Sequence, residues 1–184
     1  MAILGNSTYY AAAYPNEDRA PTVKITPTGD CTMDSIVIYM HDLSAPGSGR
    51  TFQYGCWNSS FVKIYQGSLW VSGSNWSGWK TRTCSVELTG GQDYYIGNAI
   101  PTNSYGNTYV HYQTVGAGAN TADETPFSSG TTLANLDLTT RPDSYWCIYA
   151  NVTYAPPSGP AILIEGITPA EVNTVEWGNI STIK

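Results

Sequence analysis

The chain has 184 residues, of which 41% are hydrophobic and only 12% are Asp, Glu, Lys or Arg, about half the ~25% charge content of an average globular protein. A net charge of −6 with eight scattered Lys and Arg argues against nucleic-acid binding through phosphate neutralisation, and no uncharged apolar run reaches the ~18 residues of a membrane-spanning helix. Fourteen Tyr and six Trp exclude a highly charged disordered chain, and the scarcity of Ala, Glu, Lys and Leu excludes a coiled coil.

Residues 1–20 read as an N-terminal arm or edge segment. The first basic residue is Arg19, so the basic start and compact apolar stretch of a secretory signal are missing and export by that route is not expected. A body over residues 21–154 follows, and its dominant period is two. Val23–Ile25 is a first short strand. The nearly continuous apolar run Ile36-Val37-Ile38-Tyr39-Met40 within 34–40 reads as a strand covered on both faces. Residues 51–57 alternate cleanly, with Phe52, Tyr54 and Cys56 on one side.

Shorter runs at 62–66 and 68–71 flank Gly67, and alternation returns through Cys84, Val86 and Leu88 in 81–88. Runs at 94–96, 109–112 and 145–154 bring the total to eight or nine strands. Gly- and Asn-bearing breaks at 45–49, 75–79 and 90–93 separate them. A single turn of helix near Asp123 and Glu124 is the most the sequence allows, and 113–132 reads as one extended loop across an end of the fold. Many short aromatic and β-branched strands joined by such turns predict an all-β, antiparallel β-sandwich of jelly-roll type.

Cys31, Cys56, Cys84 and Cys147 show no Cys-x-x-Cys spacing. In a reducing compartment they are expected to be buried thiols.

Catalytic chemistry finds little footing. His41 stands beside Asp42, but no Gly-x-Ser-x-Gly elbow exists, and His111 lies in a Tyr-rich strand where a hydrogen-bonded structural role is expected. Gly47-Ser48-Gly49-Arg50-Thr51 lacks the Gly-Lys-Ser/Thr element of a phosphate loop. No calcium-loop or zinc spacing is present, so neither metal nor cofactor is expected. Asn75, Trp76 and Trp79 sit in a Gly/Ser-rich turn and are candidate contacts for a glycan or a neighbouring subunit, since sugar C–H faces stack on indole rings while amides bind hydroxyls.

Composition shifts after Tyr154. Residues 155–160, Ala-Pro-Pro-Ser-Gly-Pro, form a stiff linker because Pro fixes φ and disfavours helix before it. In 161–184 apolar residues recur at Ile164, Val172 and Ile180 and again at Ile167, Val175 and Ile183, a period of eight, with Trp177 between the last two units. So short a repeat cannot bury its own apolar face and must stack on something else.

The segment Ile164-Glu165-Gly166-Ile167, Val172-Asn173-Thr174-Val175, Ile180-Ser181-Thr182-Ile183 resembles the Ile-Asn-Gly-Val repeats near the ends of tailed-bacteriophage structural proteins, with Glu165 where Asn is usual. The stretch from Gly78-Trp79 to Gly90-Gly91-Gln92-Asp93-Tyr94-Tyr95-Ile96-Gly97 is similar to jelly-roll modules of phage fibres and adhesins. The resemblance implies a non-enzymatic virion protein, a capsid decoration protein or head fibre. Its partner would be the major capsid protein or another virion protein. It would assemble as a homo-oligomer, with a trimer favoured, through Ile164, Ile167, Val172, Val175, Trp177, Ile180 and Ile183. The alternative is a carbohydrate-binding module recognising host-surface glycans.

Overall fold

The computed structural model describes residues 1–15, 20–42, 51–71, 76–99, 108–114, 122–123, 127–129, 132–136, 139–140 and 144–156. Its strands are β1 (Ala2–Gly5), β2 (Ala12–Pro15), β3 (Thr22–Ile25), β4 (Cys31–Asp42), β5 (Thr51–Asn58), β6 (Lys63–Gln66), β7 (Trp70–Val71) and β8 (Trp76–Leu88). They continue with β9 (Tyr94–Ala99), β10 (Thr108–Thr114), the short β11 (Ala122–Asp123), β12 (Phe127–Ser129), β13 (Thr132–Leu133) and β14 (Thr139–Thr140), then β15 (Ser144–Trp146) and β16 (Ile148–Tyr154). All pairings are antiparallel, and the described residues contain no helix.

Seven strands form a large sheet around β4, with β8 along one side and β16 and β10 sharing the other; β1 borders β16, and β2 and β15 border β10. Five strands form a small sheet in the order β3-β9-β5-β6, with β7 also on β5. The two sheets meet through a shared core. Met33, Ile36, Ile38 and Met40 of β4 and Ile148, Ala150 and Val152 of β16 pack with Val23, Ile25, Phe52, Tyr54, Cys56 and Ile96 of the small sheet. Apart from Ala150, these are β-branched, aromatic and sulfur-bearing residues; the β-branched and aromatic ones suit a half-buried pleated surface. Burying each Val, Ile, Phe or Met side chain contributes about 1.5–3 kcal/mol before ordering costs.

The period-two runs of the sequence all contain strand, and the differences lie in their lengths. β4 starts three residues earlier than the run at 34–40 because a bulge between Met33 and Ser35 shifts the alternation and hides its beginning. The strand expected at 145–154 breaks at Cys147, where the chain passes from pairing with β10 to pairing with β4. The expected turn at 75–79 is corrected: β8 begins at Trp76, and its ladder with β4 runs through Met40↔Gly78 to Asp42↔Trp76. Gly78 takes φ +136° there, a backbone state open to glycine, so the residue that reads as a turn keeps its place within a strand. Ala122–Asp123 pairs with Thr139–Thr140 as strand, within the stretch 113–132 expected to be one extended loop with at most a turn of helix near Asp123.

Among the described residues, β8 is a long strand paired with β4 alone. Its inward parity carries Lys80 and Arg82, half-buried, and the Lys80 ammonium stands 4.2 Å over the Trp76 ring. Inward charges on an edge strand discourage pairing with another chain. All four cysteines are unpaired thiols, three of them buried. Burial pushes the Cys56 thiol up to about 12 and the Cys84 and Cys147 thiols up to about 11.

The small sheet is buried on its outer face as well. There the Trp57 indole folds over Gly55, where a Cβ would stand 2.5 Å from the ring and 2.7 Å from Leu133. Residues 133–136 lie across it as a strap. Trp57 Nε1 donates to Ala134 O at 2.9 Å, Lys63 Nζ donates to Leu133 O at 2.6 Å, and Leu133 N donates to Gln66 Oε1 at 3.1 Å. Trp57, Leu133, Leu136, Ala99 and Ala20 make a second buried cluster beneath it.

Candidate functional site

The outer face of the large sheet carries the other aromatic concentration. Because Ile36, Ile38 and Met40 of β4 point into the core, the residues between them point out: Val37, Tyr39 and His41. Across the ladder Tyr39 opposes Trp79 of β8, and Val37 opposes Tyr149 of β16. Their rings meet. Tyr39 and Trp79 stand edge to face with centroids 5.3 Å apart, and Trp79 reaches Tyr149 at 5.3 Å across the width of β4. Val37 lies beneath that bridge, which accounts for its 2% exposure although it faces away from the core.

β10 adds Tyr109 and His111, and the chain between β1 and β2 adds Tyr9. Tyr109 stacks on His41 at 4.6 Å and 18°. Tyr9, half exposed, packs on Tyr39 at 4.5 Å and on His111 at 5.2 Å. The two imidazoles are in direct contact, His41 Nδ1 to His111 Nε2 at 2.7 Å, and His111 Nδ1 lies 2.7 Å from Tyr10 O. The result is a belt of six aromatic and imidazole rings on four strands, completed by Tyr9 from the N-terminal segment. Edge-to-face and offset contacts of this kind contribute about 0.5–1.5 kcal/mol each beyond burial and hold the rings in fixed orientations.

Toward the other end of β4 the same face turns polar. Thr32 donates to Glu87 at 2.9 Å, Asn151 to Ser35 at 2.9 Å and Thr153 to Asp34 at 2.7 Å. Among the described residues no three His, Cys, Asp or Glu side chains gather as metal ligands.

Trp76 and Trp79, expected to share a turn, are three residues apart on one strand and therefore on opposite faces. Trp76 points inward, against the core and 6.3 Å from the Phe52 ring, while Trp79 is the outward one. Asn75 lies outside the described residues, as do Ile164, Ile167, Val172, Val175, Trp177, Ile180 and Ile183. Tyr9, Tyr39, Tyr149 and the pairing of His41 with His111 were not among the expected site residues. Odd-numbered parity along 37–41 and 109–111 is the sequence signal for their shared face, but nothing in the sequence says that β10 lies beside β4. No protein-family model matches the chain, and no curated protein matches it.

Proposed function

We propose that the chain is a non-enzymatic structural protein of a tailed-phage virion, a capsid decoration protein or head fibre with a jelly-roll-like body and a C-terminal assembly tail. The observation that carries this reading is the eight-residue apolar repeat Ile164/Ile167, Val172/Val175, Ile180/Ile183, set beyond the Pro-rich linker. Each of these side chains, seated in a groove of a neighbouring subunit or shell protein, stabilises assembly by about 1.5–3 kcal/mol before ordering costs. The all-β body, with its long edge strand guarded by inward Lys80 and Arg82, fits a module that keeps its sheet edges to itself and assembles through the tail.

Light scattering on the full chain and on a form ending at Pro160 tests this. A trimer for the full chain and a folded monomer for the shortened one are expected; the same number of subunits in both would remove self-assembly through the repeat.

The aromatic belt favours a second reading, a module that binds neutral glycans on the outer face of the large sheet. Trp79 supplies a stacking ring beside Tyr39 and Tyr149. Affinity electrophoresis in gels containing neutral polysaccharides separates the readings. Retardation lost in Trp79→Ala and kept in Trp76→Ala supports glycan binding; migration unaffected by any polysaccharide removes it.

A further inference from the structure

We propose that the flank of the body formed by β6 and β8 is the seat of the C-terminal repeat of a second copy of this chain. The inference rests on the assembly reading above and names the receptor which that reading requires.

The two sheets end on this flank. β6 closes the small sheet and β8 the large one, and the Tyr54 hydroxyl of β5, beside β6, donates to Lys80 O of β8 at 3.4 Å. Val62, Ile64 and Leu69 line the β6 side at 44%, 41% and 43% exposure. Only three other large hydrophobic residues are as exposed among the described residues, so this edge holds the main aliphatic row at the surface.

The row is preformed. Asn58 Oδ1 accepts from Ser60 N and from Val62 N at 3.0 Å each, and Phe61 N donates to Asn58 O at 2.9 Å. This turn holds Phe61 at φ +60°, a state unfavourable for an aromatic residue, with its ring on Tyr95 at 4.7 Å. Val62 is thus fixed at the surface before a partner arrives, which lowers the ordering cost of binding.

Backbone pairing is not what the edge offers. Lys63 N donates to Asn135 Oδ1 at 3.0 Å and Phe61 O accepts from Leu136 N at 3.0 Å, so residues 133–136 already occupy this end of it. Side chains remain, and their charge has one sign. β6 and the inward parity of β8 carry Lys63, Lys80 and Arg82 and no carboxylate. Lys63 Nζ meets Gln66 Oε1 and Leu133 O, and Lys80 Nζ meets the Trp76 ring, all of them neutral groups.

The tail is complementary in both respects. Ile164-Glu165, Glu171-Val172 and Val175-Glu176 each set a carboxylate beside an apolar residue of the repeat. Isoleucine and valine match the aliphatic row, and the glutamates match the lysines beside it. The seat belongs to another copy because the linker 155–160 contains three prolines. Pro156-Pro157 carries the chain onward from β16 in extended form and resists the reversal needed to run back along its own flank.

Sedimentation equilibrium of the full chain is the test, with Ile64→Lys as the variant and Ile3→Lys as the control. Ile3 is 52% exposed on β1, at the opposite edge of the large sheet. Wild type and Ile3→Lys are expected to be equally tight oligomers, while Ile64→Lys raises the dissociation constant about tenfold or more. Should Ile64→Lys fail to fold, Leu69→Lys takes its place with the same expectation. An undiminished oligomer in the flank variant overturns the seat and leaves assembly through the tail standing; a monomeric wild type removes both. A photo-crosslinker at position 69, in a mixture of isotope-labelled and unlabelled full chains, identifies the occupant. Crosslinks to residues 161–184 that join labelled to unlabelled chains support the proposal, and crosslinks confined to single chains overturn it by placing the tail on its own body.

Discussion

The outer faces of the two sheets make different use of the same residue type. On the small sheet, Trp57 lies flat over Gly55, is fully buried, and is roofed by residues 133–136. On the large sheet, Trp79 stands among Tyr39 and Tyr149 and is only half-buried. Both are outward-pointing tryptophans on long strands. The strap makes the difference: a four-residue segment with its own hydrogen bonds to Lys63 and Gln66 turns an outer face into a second core. An aromatic residue on a sheet is therefore core or surface according to what crosses it, and its own strand does not settle which.

The largest test of that contrast is Trp57→Ala. It removes the indole that fills the space over Gly55 and the donor that holds Ala134 O, and it should destabilise the protein by about 3–5 kcal/mol in urea unfolding. Leu133→Ala attacks the same cluster from the strap side, with an expected loss of about 2–5 kcal/mol. Losses below about 1 kcal/mol for both would mean the roofed face is no core at all.

Gly55→Ala comes next. The added methyl meets the Trp57 ring at 2.5 Å and Leu133 at 2.7 Å, and the indole cannot slide away without lifting the strap. Overpacking of this kind costs about 1–3 kcal/mol. If denaturation midpoints were unchanged, the close fit of indole on glycine would not hold.

Trp79→Ala should cost about 1–3 kcal/mol, the worth of its two edge-to-face contacts with Tyr39 and Tyr149. A loss comparable to that of Trp57→Ala would erase the distinction between the two faces. Urea unfolding of both variants, side by side, makes the comparison.

Much of this was legible in the residues. The alternation Phe52-Tyr54-Cys56 announced its inward face, and the β-branched run 36–40 its strand. Three things were not. A bulge at Met33–Ser35 broke the period and hid the start of β4. Gly78 looked like punctuation because sequence does not distinguish a glycine that ends a strand from one that sits inside it at positive φ. Above all, the belt joins β4, β8, β10 and β16, and cross-strand neighbours are set by topology, which single-strand periodicity does not encode. That is why His41 and His111, seventy positions apart in sequence, read as two isolated histidines. It is also why Trp76 and Trp79, adjacent on paper, read as one platform although period two places them on opposite faces.

The smallest effect belongs to the rim of the roofed face, and it tests whether charge has any part in closing it. Thr26 Oγ1 donates to Asp93 Oδ1 at 2.6 Å and Lys24 Nζ donates to Asp93 Oδ2 at 3.1 Å, tying the turn before β9 to β3. The Thr26 hydrogen bond, and after it the Lys24 contact, holds the Asp93 carboxyl below its ordinary value. A carboxyl depressed in the folded state adds stability that is present above its unfolded value of about 3.9 and is lost as pH falls through the folded one. With the Asp93 side chain 38% exposed, solvent screens the pair, and the contribution is about 0.5 kcal/mol or less. Asp93→Asn should therefore lower stability slightly at about pH 7 and hardly at all once the pH has fallen below the depressed folded value, where the wild-type carboxyl is protonated. Added salt should shrink the neutral-pH difference without abolishing it, because the Thr26 hydrogen bond is short-ranged and is not screened as the Lys24 attraction is. A difference that stayed constant down to acid pH would assign the contact to hydrogen-bond geometry alone. The rim would then be closed, like the face it borders, without help from charge.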